Sequence, residues 1–225
     1  MKNLFVVAPA LLLVACGSRV EKFEMPSQVA NFAELYQGNC AGCHGREGRS
    51  GAARPLNSSA FLAVIGEQEL TDVIAKGVPQ TAMAAFSKNA GGDLTDQQIA
   101  ILARGIKQQW SRPQDFSGTV LPSYRGELGD PRAGAEAFNR YCKECHGDAG
   151  AGGPKGPSVV DPSFLALTSN QSLRTTAIAG RESTPDWRSY VPDQAMTSKE
   201  ISDVVAWLAS FRPPAITMTQ RGRLP

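Results

Sequence analysis

Cys40-Ala41-Gly42-Cys43-His44 and Cys142-Lys143-Glu144-Cys145-His146 decide how this chain is read. The two strings take four of the five cysteines and both histidines in 225 residues. Subtracting 102 from the second string returns the first, and the offset holds outward in both directions. Upstream, Ala135-Glu136 and Phe138 fall on Ala33-Glu34 and Tyr36. Downstream, Gly147 falls on Gly45, Pro157 on Pro55, Met196-Thr197 on Leu94-Thr95 and Ile201 on Ile99. One offset at both ends means that the copies have no net length difference. The chain is a tandem duplication of one unit.

Each unit reads as mainly helical with long loops. A short helix, about 32–39 or 134–141, runs straight into the cysteine string. A last helix starts after Thr95 or Thr197 as N-cap, and the second copy has Glu200 at the capping-box spacing with apolar Met196 ahead of the cap. Ile99, Leu102 and Ile106, then Ile201, Val204, Val205 and Leu208, recur at helical spacing. Middle helices are expected near 67–75 and 172–178. The stretches 45–59 and 147–163 are rich in Gly, Ser and Pro and read as loops. The expected organisation is a first domain over 29–112, an irregular linker over 113–131, a second domain over 132–213 and an extended tail over 214–225. Arg221 and Arg223 in that tail are candidate contacts for a partner.

Composition excludes several classes. With 23 Lys+Arg against 21 Asp+Glu, the chain lacks the basic surface that a phosphate lattice selects, so no nucleic-acid partner is expected. At 42% hydrophobic and 20% charged residues it can bury a core. Met1-Lys2-Asn3 followed by the apolar run from Leu4 to Ala15 reads as an export signal over 1–15, too short for a bilayer core that needs about 20 apolar residues. Leu13-Val14-Ala15-Cys16-Gly17 resembles the bacterial lipobox, in which the cysteine becomes a lipidated N-terminus. Cys16, the cysteine that the two strings leave over, is thus the candidate lipid anchor, with 16–28 as tether. An exported, membrane-anchored protein on the extracytoplasmic or periplasmic side follows. Gly17 and Ser18 do not match the inner-membrane retention signal with Asp after the lipidated cysteine, which leans toward the outer membrane.

Cys-x-x-Cys-His is the signature of covalent c-type haem attachment. On one helical turn residues three apart share a face, so both thiols reach one porphyrin edge and the next residue offers an imidazole to the iron. Cys40, Cys43, Cys142 and Cys145 are the candidate thioethers to two haem c groups, and His44 and His146 the axial ligands. Two competing readings exist. Four thiolates could hold zinc, but the pairs lie far apart in sequence and each is followed by histidine. A redox disulfide of thioredoxin type calls for a βαβ context that the pattern lacks.

On these motifs residues 29–213 resemble the dihaem class I cytochromes c, two such units fused in tandem. The resemblance implies that the carbonyls of Pro55 and Pro157 accept the hydrogen bond from the second ring nitrogen of each axial histidine, and that the aromatic of the first helix, Tyr36 or Phe138, faces the last. It also implies a methionine as sixth ligand in the loop before the last helix, an arrangement suited to electron carriage. Met83, in Val78-Pro79-Gln80-Thr81-Ala82-Met83-Ala84-Ala85-Phe86, fits that place. The second unit departs from the pattern: Thr184, in Arg181-Glu182-Ser183-Thr184-Pro185-Asp186-Trp187, stands where Met83 does. Met196 is the candidate left there. As a ligand it needs the longer 188–195 segment to wrap the haem differently; as the counterpart of Leu94 it is a hydrophobic staple. The halves are expected to be inequivalent.

The resemblance, together with the candidate anchor at Cys16, implies a lipid-anchored carrier of single electrons between a membrane oxidoreductase and an acceptor, as or near a subunit of a respiratory or photosynthetic complex. Near-neutral charge suits a tethered protein better than a freely steered one. The alternative is an enzyme of peroxide or sulfur-compound chemistry at an open second haem, with Glu182, Asp186 and Arg188 as candidate acid–base groups that read more simply as a solvated loop.

Overall fold

The computed structural model describes residues 25–79, 81–118, 120–180 and 196–214. The expected export signal, Cys16, Thr184 with its loop, and the tail beyond Pro214 lie outside the described residues. Among the described residues the chain is helical with no strand, only isolated bridges such as Ser87 with Leu94. The first unit contains α1 (Phe32–Asn39), α2 (Ala41–His44), α3 (Ser59–Val64), α4 (Glu67–Lys76) and α5 (Asp96–Trp110). The second repeats them as α6 (Pro131–Tyr141), α7 (Lys143–His146), α8 (Pro162–Leu167), α9 (Asn170–Ala179) and α10 (Ser198–Ser210).

Local chemistry fixes the ends of these helices. Asn31 and Asp130 cap α1 and α6 with their side-chain oxygens. Thr95 and Thr197 form full capping boxes with Gln98 and Glu200, so the box expected in the second unit occurs in both. The short helices α3 and α8 were not legible in loops rich in Gly, Ser and Pro. They are nucleated by Ser58 and Asp161, whose side chains accept from Phe61 and Phe164 N–H groups.

In each unit the last helix crosses the first. The aromatics expected at this contact are there: Tyr36 packs on Trp110 at 5.1 Å between ring centroids, and Phe138 on Trp207 at 4.5 Å. The crossing itself is built in two opposite ways. In the first unit Phe32 on α1 fills the space over Gly105 on α5, where an added Cβ would lie 2.1 Å from the Phe32 ring. At the equivalent positions of the second unit the roles are exchanged. Gly134 on α6 lies under Trp207 on α10, and a Cβ at Gly134 would come within 2.0 Å of the Asp203 carbonyl oxygen. Each crossing therefore holds one large side chain and one glycine, on opposite helices.

Two apolar cores result. The first gathers Leu35, Tyr36, Phe61, Leu62, Leu102 and Ile106; the second gathers Ala137, Leu165, Ile201, Val204 and Leu208. The segment between the units is more than a polar spacer. Tyr124 is buried in the first core, with its ring 6.3 Å from that of Phe61. Its carbonyl accepts from Gln171 Nε2 at 2.9 Å, and the buried Arg174 guanidinium donates to the Ser123 and Tyr124 carbonyls. Arg174 thus spends its donors on backbone oxygens that burial would otherwise leave unsatisfied. The units also touch directly, α3 against α9, with Val64 packed on the second core and Ala179 on the first.

Candidate haem sites

Each cysteine string is one tight turn at the foot of a helix. The Cys40 N–H donates to Tyr36 O at 2.8 Å, ending α1, and its carbonyl accepts from the Cys43 and His44 N–H groups at 3.2 and 2.9 Å. The second unit repeats this, with Cys142 O accepting from Cys145 at 3.2 Å and His146 at 3.0 Å. The turn sets the two thiols of each pair on one side and the imidazole immediately after them. Gly45 and Gly147 then reverse the chain with φ of 78° and 74°. A Cβ at Gly45 would sit 1.7 Å from Arg49 O, and one at Gly147 2.1 Å from Gly152 O, so no side chain is tolerated there.

Each imidazole is held by its Nδ1. His146 Nδ1 lies 2.8 Å from Pro157 O. His44 Nδ1 lies 2.7 Å from Arg54 O, so Pro55 is not the acceptor in the first unit as the resemblance implied. The loops explain the difference. In the first, Ala53 N–H ties back to Cys43 O at 2.9 Å and brings the Arg54 carbonyl over the ring. In the second, a tight turn from Gly153 N–H to Gly156 O at 2.9 Å delays the chain by one residue. Pro55 still contributes, since the accepting oxygen belongs to the Arg54–Pro55 amide.

A carbonyl at Nδ1 requires Nδ1–H, which leaves the Nε2 lone pair for a metal. Burial lowers the pKa of His44 further, against a smaller opposing effect of the Arg54 carbonyl, so the neutral ring is the form present at neutral pH. The first thiol of each pair is held in the protonated form. Burial first, then the charge of the neighbouring cysteine, pushes Cys40 up to about 11 and Cys142 up to about 12. Among the described residues no three His, Cys, Asp or Glu side chains gather as a metal-holding group. The two cysteine pairs do not converge on one four-thiolate centre.

Both units match one family model, described as cytochrome c oxidase, cbb3-type, subunit III, over residues 27–104 and 129–208. The chain belongs to this family of c-type cytochromes. It is a tandem dihaem cytochrome c, and its cofactors are two covalently attached haem c groups. It is 29% identical over 164 residues to the cbb3-type cytochrome c oxidase subunit FixP of Bradyrhizobium sp. (strain ORS 278). That match covers 68% of the chain and 52% of the relative, so the chain spans about half the length of that relative. A chain of the Kuenenia stuttgartiensis reducing HAO-like protein complex aligns with a TM-score of 0.47 at 18% identity, over 85% of this chain and 100% of that one.

Two methionines, Met83 and Met196, are the sequence candidates for sixth ligand in this dihaem cytochrome. Met83 is partly exposed in the α4–α5 loop, where its carbonyl accepts from Val78 N–H at 2.9 Å and its N–H donates to Thr81 Oγ1 at 3.2 Å. Met196 is buried at 6% exposure among Ala137, Leu165 and Ile201, and its counterpart Leu94 is equally buried at 5% in the first core. That is the staple position ahead of the Thr197 cap.

Sequence reasoning did not single out Arg54; the signal was its place before a loop proline eleven residues after the histidine. It also missed what Tyr36 adds beyond packing. Its hydroxyl donates to Gly45 O at 2.8 Å, and burial above all pushes its pKa up to about 12, so it stays protonated. Phe138 has no equivalent. Tyr36→Phe is expected to cost the first unit about 1 kcal/mol in denaturant unfolding, with no change in the second.

Proposed function

We propose that this dihaem cytochrome is a lipid-anchored electron carrier, exported and held by Cys16 at the extracytoplasmic face of a membrane, with the outer membrane favoured over the inner. It passes single electrons between a membrane oxidoreductase and an acceptor, as or near a subunit of a respiratory or photosynthetic complex. It is not itself an enzyme. The observation that carries this reading is the Nδ1 hydrogen bond on both histidines, 2.7 Å in one unit and 2.8 Å in the other. These bonds orient both imidazoles for the axial role, and the chain has no further histidine for proton transfer to a substrate. The bound haem supplies a one-electron centre, while the chain orients the imidazole and sets how strongly it donates.

The name of the FixP relative supports a partner of oxidase type. Among the described residues no helix is long and apolar enough to cross a membrane, which suits attachment through Cys16. Met83 is the sixth ligand of the first iron. Met196, proposed on sequence for the second, has a burial that favours packing.

Mild detergent extraction followed by affinity isolation tests the reading. The cytochrome should copurify with a membrane redox complex, and Cys16→Ala should release it to the soluble fraction. Isolation of both forms without partner and without membrane would overturn it. Turnover of peroxide or a sulfur compound by the purified protein would support the enzyme alternative instead.

A further inference from the structure

Arg54 takes part in both units at once. Its carbonyl accepts from His44 Nδ1 at 2.7 Å. Its guanidinium crosses to α9 of the second unit, where Nη2 donates to Thr176 Oγ1 at 2.7 Å and Nη1 to Gly180 O at 3.2 Å. Gly180 is the C-cap of α9, and the exposed carbonyls of a helix C-terminus favour a cation. On its own side the guanidinium carbon stands 5.9 Å from the centre of the Phe61 ring, which leans in turn on Tyr124. Pro55 follows directly and restricts the backbone of the residue before it. A side chain anchored on one unit is thus joined through its own Cα to the carbonyl that orients the imidazole of the other.

We propose that Arg54 is a positioning residue that ties the redox setting of the first haem to the docking of the second unit. This rests on His44 being the axial ligand. The carbonyl at Nδ1 raises the basicity of the imidazole and favours ferric iron. When the guanidinium is held, the carbonyl is held. When its anchor on α9 is lost, the Nδ1 bond loosens, the imidazole donates less strongly, and the first haem becomes easier to reduce. The second unit thereby acts on the first iron without touching it.

The test uses the full-length protein with both haems. Thr176→Val removes the 2.7 Å acceptor, keeps the shape of the side chain and lies in the other unit. A redox titration should show the midpoint of the first haem moved upward. In an Arg54→Lys background the ammonium cannot span both acceptors, so adding Thr176→Val should produce no further shift in that midpoint, a non-additive cycle. An unchanged first midpoint in Thr176→Val overturns the proposal. So does the same shift with and without Arg54. Faster proteolysis within 111–131 without any change in potential would make Arg54 a structural clamp only, and also overturns it. The spectrum of the unsubstituted protein keeps the two readings apart: absence of histidine ligation at the first iron would defeat the axial assignment, whatever the variants do.

Discussion

Gly134→Ala should destabilise the second unit by about 3 kcal/mol, the upper end of what one inserted methyl costs in a packed interior. The added Cβ would lie 2.0 Å from the Asp203 carbonyl oxygen and 2.8 Å from Trp207 Cβ. Neither obstacle can rotate away, because one is helix backbone and the other is the root of a side chain. The helices must part, and the apolar contacts around Ala137, Phe138 and Val204 part with them. Gly105→Ala meets a ring instead, Phe32, which can swing, so its cost should be smaller. Denaturant unfolding followed at each haem resolves the two units. A Gly134→Ala protein within about 0.5 kcal/mol of the parent would show that the crossing tolerates a methyl group.

The second large effect is at methionine. Met83→Ala should open the first iron, so that the reduced protein binds carbon monoxide rapidly and the potential of that haem falls. An unchanged first haem would remove Met83 as ligand. Met196→Ala should act differently. Met196 is buried in the second core at the place of Leu94, so truncating it should cost about 2–4 kcal/mol while the second haem keeps its spectrum and potential. If instead that haem changes spectrum, Met196 is a ligand and its sulfur reaches the iron from the staple position. The pair of variants measures how unequal the halves are.

The duplication, the covalent attachment and the positions of the first, middle and last helices were legible because each rests on a local rule: a fixed spacing, a helical period or a capping pair. The short helices α3 and α8 were not, since six residues carry too little periodicity and the Ser58 and Asp161 caps sit in segments whose composition says loop. Tyr124 shows a second kind of omission. Its burial depends on where the linker crosses the first core, which no spacing within the linker encodes. The acceptor on His44 shows a third. Identical spacing of Pro55 and Pro157 implied identical roles, but a single turn at Gly153 shifts the backbone by one residue, and a shared offset is blind to that.

The exchanged glycines have a bearing on how the chain assembles. Tandem copies of one fold invite mispairing, in which the first helix of one copy docks on the last helix of the other. Here α1 against α10 would set the ring of Phe32 against that of Trp207, while α6 against α5 would pair Gly134 with Gly105 and leave a void. One mismatch is overfull and its companion empty, and both follow from the same two exchanges. The crossings therefore work as a lock-and-key check between otherwise similar halves, and should keep the copies from trading helices within one molecule or between two.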